Sequence, residues 1–244
     1  MFLFLIKMIP KIIFQTYKTL EIPLKWKSSP ISIHTHMPDW KYVFMTDEDN
    51  LQFVKTHFPS FLNWFINLKY PIQRADVIRY MFLYVHGGLY MDMDIELNTS
   101  LEPLFKSGEI FLVKAPGNWW GHYTNFLMAS VPKNDFFLAV LDECLKPIHK
   151  WLLPHHIISA QTGIGALNRA VKKFSITSLP YKNLVPCDYC FETSCDKPFY
   201  YTKFLQGQSW NNMDTYALNF LSCNIDLIII IVFVFMSAWI MRKK

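Results

Sequence analysis

The sequence lacks the features that mark several common classes of protein. It has only five cysteines in 244 residues, which is too few for a disulfide scaffold. Three of them, Cys187, Cys190 and Cys195, cluster without a fourth ligand at zinc-binding spacing, so we expect a local disulfide or free thiols there. The formal net charge is only +5 and no stripe of lysine and arginine is present, so we expect no nucleic acid partner. Internal repeats and low-complexity linkers are also absent, and the length suits one domain with a small appendage.

Apolar side chains, in contrast, are abundant. Hydrophobic residues make up 52% of the chain and aromatic residues 17%, which predicts a protein associated with membranes. An apolar run over residues 227–241 precedes a basic tail at residues 242–244. At 1.5 Å per residue this run spans about 22 Å of the roughly 30 Å hydrocarbon core. We predict a C-terminal transmembrane helix at residues 225–241, in preference to a buried helix, because a tryptophan and the basic end are interfacial features.

The N-terminal segment, residues 1–8, leaves two membrane topologies open. Its apolar run is shorter than the about 7–15 residues that form the core of a secretory signal. The positive-inside rule would place the basic tail in the cytosol and the domain in the lumen. That topology needs N-terminal targeting, which the short apolar run scarcely provides, and the alternative is a tail-anchored protein that faces the cytosol. In both cases we expect an endomembrane of the Golgi or ER type.

One stretch, residues 71–96, organises the rest of the chain. Pro71 suits a helix start, and apolar residues recur after it at helical spacing. Gly87 and Gly88 end this helix, because glycine enters the left-handed conformation without steric cost. Residues 89–91 then predict a short buried strand. Asp92 and Asp94 follow, and we expect their side chains to point the same way because side chains alternate along a strand.

These two carboxylates predict a site for a divalent cation. Hard oxygen ligands suit Mg²⁺ or Mn²⁺, which can also take diphosphate oxygens as ligands. A nucleotide-sugar transferase needs such a cation to neutralise the charge on its leaving nucleoside diphosphate. An isolated Asp-X-Asp is a weak signal, since most such tripeptides are solvated turns. The prediction therefore depends on the arginines, helix, double glycine and strand around it.

The remaining segments predict an α/β domain. Residues 12–14, 42–45 and 110–113 suit buried strands, while residues 50–68 and 136–145 carry helical periodicity. Thr46 is the expected N-cap of a helix whose first turn is acidic. Because ligands bind at the carboxyl ends of the strands in such sheets, the residues after the first strand are candidates for binding. These are Gln15, Thr16 and Tyr17.

The pattern R-A-D-V-I-R-Y-x-x-L-Y-x-x-G-G-x-Y-x-D-x-D, residues 74–94, resembles the signature of glycosyltransferase family 32, the DXD-type sugar transferases. Within that family the sequence is most similar to catalytic subunits of mannosyl-inositolphosphorylceramide synthase, over about residues 9–210. The resemblance implies a GT-A fold, a Rossmann-like mixed sheet flanked by helices, over residues 9–220. It further implies transfer of a sugar, in the first place mannose from GDP-mannose, with retention of configuration. The acceptor would be a membrane glycolipid such as inositolphosphorylceramide, or a glycan, and a small regulatory membrane subunit is an implied partner.

The resemblance also implies roles for individual residues around the reacting sugar. Asp94 would bind the metal directly, and Asp92 would bind both the metal and the ribose. Asp76 and Arg79 would hold hydroxyls of the donor sugar and its phosphate. Asn125 matches an asparagine that lies near the reacting carbon.

A second set of residues is implied in binding the nucleotide and its diphosphate. The loop after the first strand would pack against the base, and a C-terminal segment would fold over the diphosphate. In that segment Asn211 stands where the family has a histidine that can complete the metal shell, and asparagine oxygen ligates the same hard cations. The other implied contacts are Gln15, Thr16, Tyr17, Arg74, Tyr90, Ser209 and Trp210.

The sequence departs from the family pattern at several positions. Phe14, Asn134 and Asn211 replace histidines, and Asp135 and Ile164 replace prolines. Two alternatives stay open. One is a transferase of the same fold that uses a UDP-sugar of galactose, glucose or N-acetylglucosamine. The other is a non-catalytic, membrane-tethered module that binds sugar nucleotides.

Overall fold

The computed structural model describes residues 8–115, 122–148, 153–184, 201–205 and 213–225, together with residues 229, 233 and 236. Short 3₁₀ segments occupy Leu24–Trp26, Pro59–Phe61 and Glu102–Phe105. The strands are β1 Ile12–Thr16, β2 Lys41–Met45, β3 Gly88–Met91, β4 Ile95–Leu97, β5 Ile110–Lys114, β6 Tyr123–Ser130, β7 Thr177–Pro180 and β8 Thr202–Phe204. The helices are α1 Ser28–His36, α2 Asp47–His57, α3 Leu62–Ile66, α4 Pro71–His86, α5 Asp135–Leu145, α6 Pro154–Gln161, α7 Ile164–Val171, α8 Tyr181–Leu184 and α9 Met213–Cys223.

Six of these strands form one mixed sheet in the order β2-β1-β3-β6-β5-β7. The pairs β1–β2, β1–β3 and β5–β7 are parallel, whereas β6 runs antiparallel to both β3 and β5. A second sheet pairs β4 with β8 in antiparallel orientation. The mixed, mainly parallel sheet that the sequence predicts is therefore confirmed.

Apolar side chains fill both faces of the large sheet. On one face Phe14, Tyr90 and Met128 pack against residues of α2, α4, α5 and α7. On the other face Ile13 and Leu89 pack against α1 and the segment around Leu101. Neighbouring residues of β1 and β3 thus enter opposite cores, as the alternation of side chains along a strand requires. Helices or loops cover both faces, so the fold is α/β, as predicted.

The junction between α4 and β3 forms as the sequence predicts. Pro71 is the first residue of α4, where its missing N–H breaks no helical hydrogen bond. Gly87 and Gly88 then adopt φ values of 66° and 91°, which side-chain-bearing residues rarely adopt. A Cβ on Gly88 would also lie 2.5 Å from the carbonyl oxygen of Ile12, so β1 and β3 approach closely here. The double glycine therefore both ends the helix and lets the two strands pair.

The prediction of continuous helical periodicity over residues 50–68 is wrong. α2 ends at His57, a 3₁₀ turn begins at Pro59, and α3 covers only Leu62–Ile66. The break arises because proline has no N–H to donate and disfavours the helical conformation of the residue before it. The start of α2 is confirmed, because Thr46 and Asp49 form a reciprocal capping box.

The predicted C-terminal transmembrane helix falls mostly outside the described residues. Within the part of the chain that the structure describes, no helix is both long enough and apolar enough to cross a bilayer. The three clustered cysteines likewise lie outside the described residues. Cys144 on α5 is a buried free thiol.

Candidate active site

The two aspartates follow β3 in a tight turn that connects it to β4. β3 ends at Met91, so Asp92 and Asp94 lie beyond the strand, and the expectation that strand alternation aligns them is wrong. Long-range backbone hydrogen bonds hold the turn instead. The N–H of Asp92 donates to the carbonyl of Phe126 at 2.8 Å, and the N–H of Leu205 donates to the carbonyl of Asp94 at 2.7 Å. The turn lies at the carboxyl end of β3, next to that of the parallel strand β1.

Arg79 connects the aspartates of the helix and the turn. Its Nη1 donates to Oδ1 of Asp92 at 3.0 Å and to the carbonyl of Asn125 at 2.9 Å. Its Nη2 lies 3.2 Å from Oδ1 of Asp76, the ion pair expected from their spacing on the helix. The Arg79 side chain is only 4% exposed, so its guanidinium charge is balanced by these two carboxylates rather than by water.

Asp92 accepts hydrogen bonds from Arg79 and Tyr90 at the same carboxylate oxygen. Its Oδ1 also accepts from the hydroxyl of Tyr90 at 2.5 Å, and the guanidinium carbon of Arg79 lies 4.6 Å from the centre of the Tyr90 ring. Burial raises the pKa of Asp92, while Arg79 and the Tyr90 hydroxyl oppose that rise. With Oδ1 occupied twice, Oδ2 is the oxygen that Asp92 can offer to a ligand.

Asp94 carries the clearest electrostatic signal in the site. Its Oδ1 is buried and has no hydrogen-bond donor among the residues that the structure describes, which is unusual for a buried polar atom. Burial, followed by the negative charge of Asp92, raises the pKa of Asp94 to about 7. Two carboxylates in one partly buried turn, one with a buried oxygen that lacks a donor, suit a hard divalent cation. The residues present therefore fit the metal that the sequence predicts.

The described residues supply only part of a metal shell. Among them no group of three histidine, cysteine, aspartate or glutamate side chains could hold an ion. The predicted third ligand, Asn211, and the predicted diphosphate contacts Ser209 and Trp210 lie outside the described residues. The chain approaches the site just before them, because Leu205 is hydrogen-bonded to the turn at Asp94.

Asp76 and Asn125 lie together, as the resemblance implies, in a buried set of hydrogen bonds. Oδ1 of Asp76 accepts from the Asn125 amide at 3.0 Å, and Oδ2 accepts from the Thr162 hydroxyl at 3.0 Å. Burial raises the pKa of Asp76 to about 6, with Arg79 as the main opposing influence. The turn at residues 161–165 resembles a turn of the family whose first two residues, here Gln161 and Thr162, would approach the donor through backbone groups. The structure shows a side-chain contact of Thr162 with Asp76 instead. The adjoining Tyr80 was not predicted from the sequence.

The residues at the carboxyl end of β1 and just after it differ in burial. Gln15 is fully buried and donates to the carbonyl of Asp92 at 3.1 Å, so it braces the turn. The Thr16 hydroxyl donates to the carbonyl of Met45 at 2.8 Å. Tyr17 is half-buried and packs edge-on against Trp26 at 5.6 Å. Of the three predicted nucleotide contacts, Tyr17 thus has the most accessible surface for stacking.

Two further positions have structural roles of their own. Arg74 donates from Nη1 to the carbonyl of Leu68 at 3.1 Å and has no hydrogen bond to Asp76. Phe14 is fully buried, and its ring stacks on Phe82 with centres 4.0 Å apart. The family's histidine is therefore replaced here by a core residue.

The chain is similar to known proteins in both its sequence and its fold. A family model described as a glycosyltransferase sugar-binding region containing a DXD motif matches residues 23–111. Mannosyl phosphorylinositol ceramide synthase SUR1 of Saccharomyces cerevisiae is 34% identical over 234 residues, covering 94% of this chain and 59% of that protein. Inositol phosphoceramide mannosyltransferase 3 of Schizosaccharomyces pombe is 48% identical over 209 residues, covering 84% of this chain and 57% of that protein.

The chain thus spans less than two thirds of the length of either relative. Among solved structures, the PaToxG glycosyltransferase has a TM-score of 0.55 to this chain at 16% sequence identity. The match covers 68% of this chain and 69% of that one. At this level of identity the likeness concerns the fold alone, and it confirms the predicted glycosyltransferase architecture.

Proposed function

The chain belongs to the glycosyltransferase family whose sugar-binding region contains a DXD motif, and we propose that it is a metal-dependent, configuration-retaining mannosyltransferase. The proposed donor is GDP-mannose. The proposed acceptor is a lipid with an inositolphosphoryl headgroup, inositolphosphorylceramide. The two relatives above are a mannosyl phosphorylinositol ceramide synthase and an inositol phosphoceramide mannosyltransferase, which supports this choice of sugar and lipid.

The unpaired Oδ1 of Asp94 beside Asp92 is the observation that carries the proposal. A buried acceptor without a donor is costly, and a cation held by Asp94 and by Oδ2 of Asp92 would remove that cost. The proposed remaining protein ligand is Asn211. Mn²⁺ or Mg²⁺ bound there would neutralise the charge of the leaving nucleoside diphosphate.

The other residues of the site hold and orient the donor. Asp76 and Arg79 would fix the sugar hydroxyls and the phosphate, and Asn125 would lie beside the anomeric carbon. Both oxygens of Asp76 are already hydrogen-bonded and the residue is only 5% exposed, so it is a poor nucleophile. This supports attack by the acceptor hydroxyl on the same face of the sugar from which the diphosphate leaves. A diphosphate oxygen would take the proton of that hydroxyl.

The nucleotide would lie across the ends of β1 and β3. Tyr17 would stack on the base. Tyr90 is only 2% exposed, so instead of touching the nucleotide it would hold Asp92 toward the ribose through its hydrogen bond. Gln15, Thr16 and Arg74 would support this surface from behind, because their hydrogen bonds go to the turn, to β2 and to the segment before α4. Ser209 and Trp210 would contact the diphosphate.

Attachment to an endomembrane of the Golgi or ER type is part of the proposal. The C-terminal part of the chain supports it, because Tyr216, Phe220, Phe233 and Met236 are 57%, 67%, 72% and 58% exposed. Large apolar side chains exposed along one stretch of the chain favour contact with lipid. A small regulatory membrane subunit, implied by the family resemblance, would assemble with this part of the protein.

A donor screen on membranes that carry the protein tests the function. Vesicles containing inositolphosphorylceramide, Mn²⁺ and either GDP-mannose or a UDP-sugar would be incubated with it, and the lipids analysed by mass spectrometry. We expect a gain of one hexose with GDP-mannose only. Asp94→Ala should abolish it, whereas Asp142→Ala, at an exposed position on α5, should not. Transfer from a UDP-sugar would overturn the donor assignment, and the absence of both transfer and donor hydrolysis would favour a non-catalytic module.

A further inference from the structure

A buried tyrosine on α4, Tyr80, is hydrogen-bonded to the side chain of Asn125. Tyr80 is completely buried, and its hydroxyl donates to the carbonyl oxygen of Thr162 at 3.0 Å. A phenol has a single hydrogen to donate. Its oxygen can therefore only accept from the side-chain nitrogen of Asn125, which lies 3.1 Å away.

The second partner of the Asn125 amide is also an acceptor. Oδ1 of Asp76 lies 3.0 Å from the same nitrogen, and an ionised carboxylate has no hydrogen to donate. Arg79 at 3.2 Å and the Thr162 hydroxyl at 3.0 Å hold this carboxylate in place. Because both neighbours accept, the NH₂ group of Asn125 must face them, and the orientation of the amide is fixed by chemistry.

The carbonyl oxygen of Asn125 consequently lies on the open side of the amide. Asn125 is only partly buried, and within the described residues no donor forms a hydrogen bond to its Oδ1. The residue is at the start of β6, where its backbone carbonyl accepts from Arg79, the partner of Asp92. Asn125 thus lies beside Asp76 and Arg79 with its Oδ1 free of donors among the described residues.

We propose that Tyr80 is a positioning residue that holds the Asn125 amide with its carbonyl oxygen, and not its NH₂ group, toward the donor sugar. This inference rests on the proposed function. Positive charge develops at the anomeric carbon as its bond to the diphosphate breaks. A fixed partial negative charge at that carbon stabilises the transition state without reorganisation, whereas an NH₂ group there would oppose it.

A double-mutant cycle between Tyr80→Phe and Asn125→Ala tests the proposal. Tyr80→Phe removes one oxygen atom and leaves the ring in the core. The matched control is Tyr84→Phe, one turn along the same helix and outside the site. For each variant kcat and KM for GDP-mannose would be measured with Mn²⁺, together with Tm.

We expect Tyr80→Phe to lower kcat about tenfold, the size of one lost buried hydrogen bond, with KM for the donor changed less than twofold. In the Asn125→Ala background the same change should have no further effect on kcat, because the group that Tyr80 positions is gone. Tyr84→Phe should keep the wild-type kcat. Equal loss of kcat from Tyr80→Phe in both backgrounds, or an unchanged kcat in the single variant, would overturn the inference.

Asn125→Asp provides an independent test if Tyr80→Phe does not fold. A carboxylate at position 125 would face two acceptors, Asp76 and Tyr80. Because it has no hydrogen to donate to them, its side chain would turn away from both. We therefore expect a lower kcat than that of Asn125→Ala. A kcat above that of Asn125→Ala would show that donors surround the position, which contradicts the proposed orientation. Absence of any transfer by the wild-type protein would instead count against the proposed function, so the two failures are distinguishable.

Discussion

Replacing Asp94 with asparagine should make the metal-free protein more stable at neutral pH. Burial, followed by the charge of Asp92, raises the pKa of Asp94 from 3.8 to about 7. Between these two values the folded state holds a proton that the unfolded chain has released. The free energy of unfolding therefore falls as the pH rises from about 4 to about 7, and it stays low above that range. Asparagine does not ionise, so the free energy of unfolding of Asp94→Asn does not fall with pH for this reason.

The magnitude follows from the two pKa values. About 7 minus 3.8 is about 3, which sets an upper bound of about 4 kcal/mol on the destabilisation at pH 8. The asparagine amide still lacks partners in the same turn, so we expect a net gain of about 2 kcal/mol. In a domain of this size such a gain raises Tm by about 4–8 °C.

Urea unfolding in EDTA at pH 5 and pH 8 measures this effect. Asp94→Asn should be more stable than the wild type at pH 8 and should show no gain at pH 5, where only about 1.6 kcal/mol of the ionisation cost is present. The exposed Asp142→Asn serves as the control and should show no gain at either pH. Added Mn²⁺ should stabilise the wild type and not Asp94→Asn. The reasoning fails if Asp94→Asn is no more stable than the wild type at pH 8, or if its gain is independent of pH.

Three further substitutions test the packing around the site. Arg79→Met leaves two buried carboxylates unpaired and should lower the free energy of unfolding by about 3–5 kcal/mol; a loss below 1 kcal/mol in urea would contradict the pairing. Phe14→His restores the family's residue but loses the ring stack with Phe82 and buries a polar group. It should cost about 2–3 kcal/mol without raising kcat, and a more active variant would show that the histidine's role survives here. Thr46→Ala removes the cap of α2 and should cost about 1 kcal/mol with kcat unchanged, as activity and urea assays together would reveal.

Local chemistry was enough to predict the elements that flank the site. The start of α4 at Pro71 and its end at the double glycine depend on residues next to each other in the chain, so the sequence specifies them directly. The break at Pro59 could have been predicted in the same way, but the apolar periodicity on both sides concealed it. The alignment of Asp92 and Asp94 was inferred from the wrong local structure, because backbone hydrogen bonds with Phe126 and Leu205, distant in sequence, shape that turn.

The sequence by itself determined which groups could act: two carboxylates after a short strand, an arginine and aspartate one turn apart on a helix, and an asparagine farther along. Only the tertiary structure decided how they are partnered. Asp76 meets Asn125 across 49 residues of chain and Thr162 across 86, and these encounters depend on the packing of α4 against β6 and the turn before α7. The same packing leaves one oxygen of Asp94 without a donor. Burial and hydrogen-bond geometry arise when distant segments exclude water together, and no pattern of neighbouring residues encodes them.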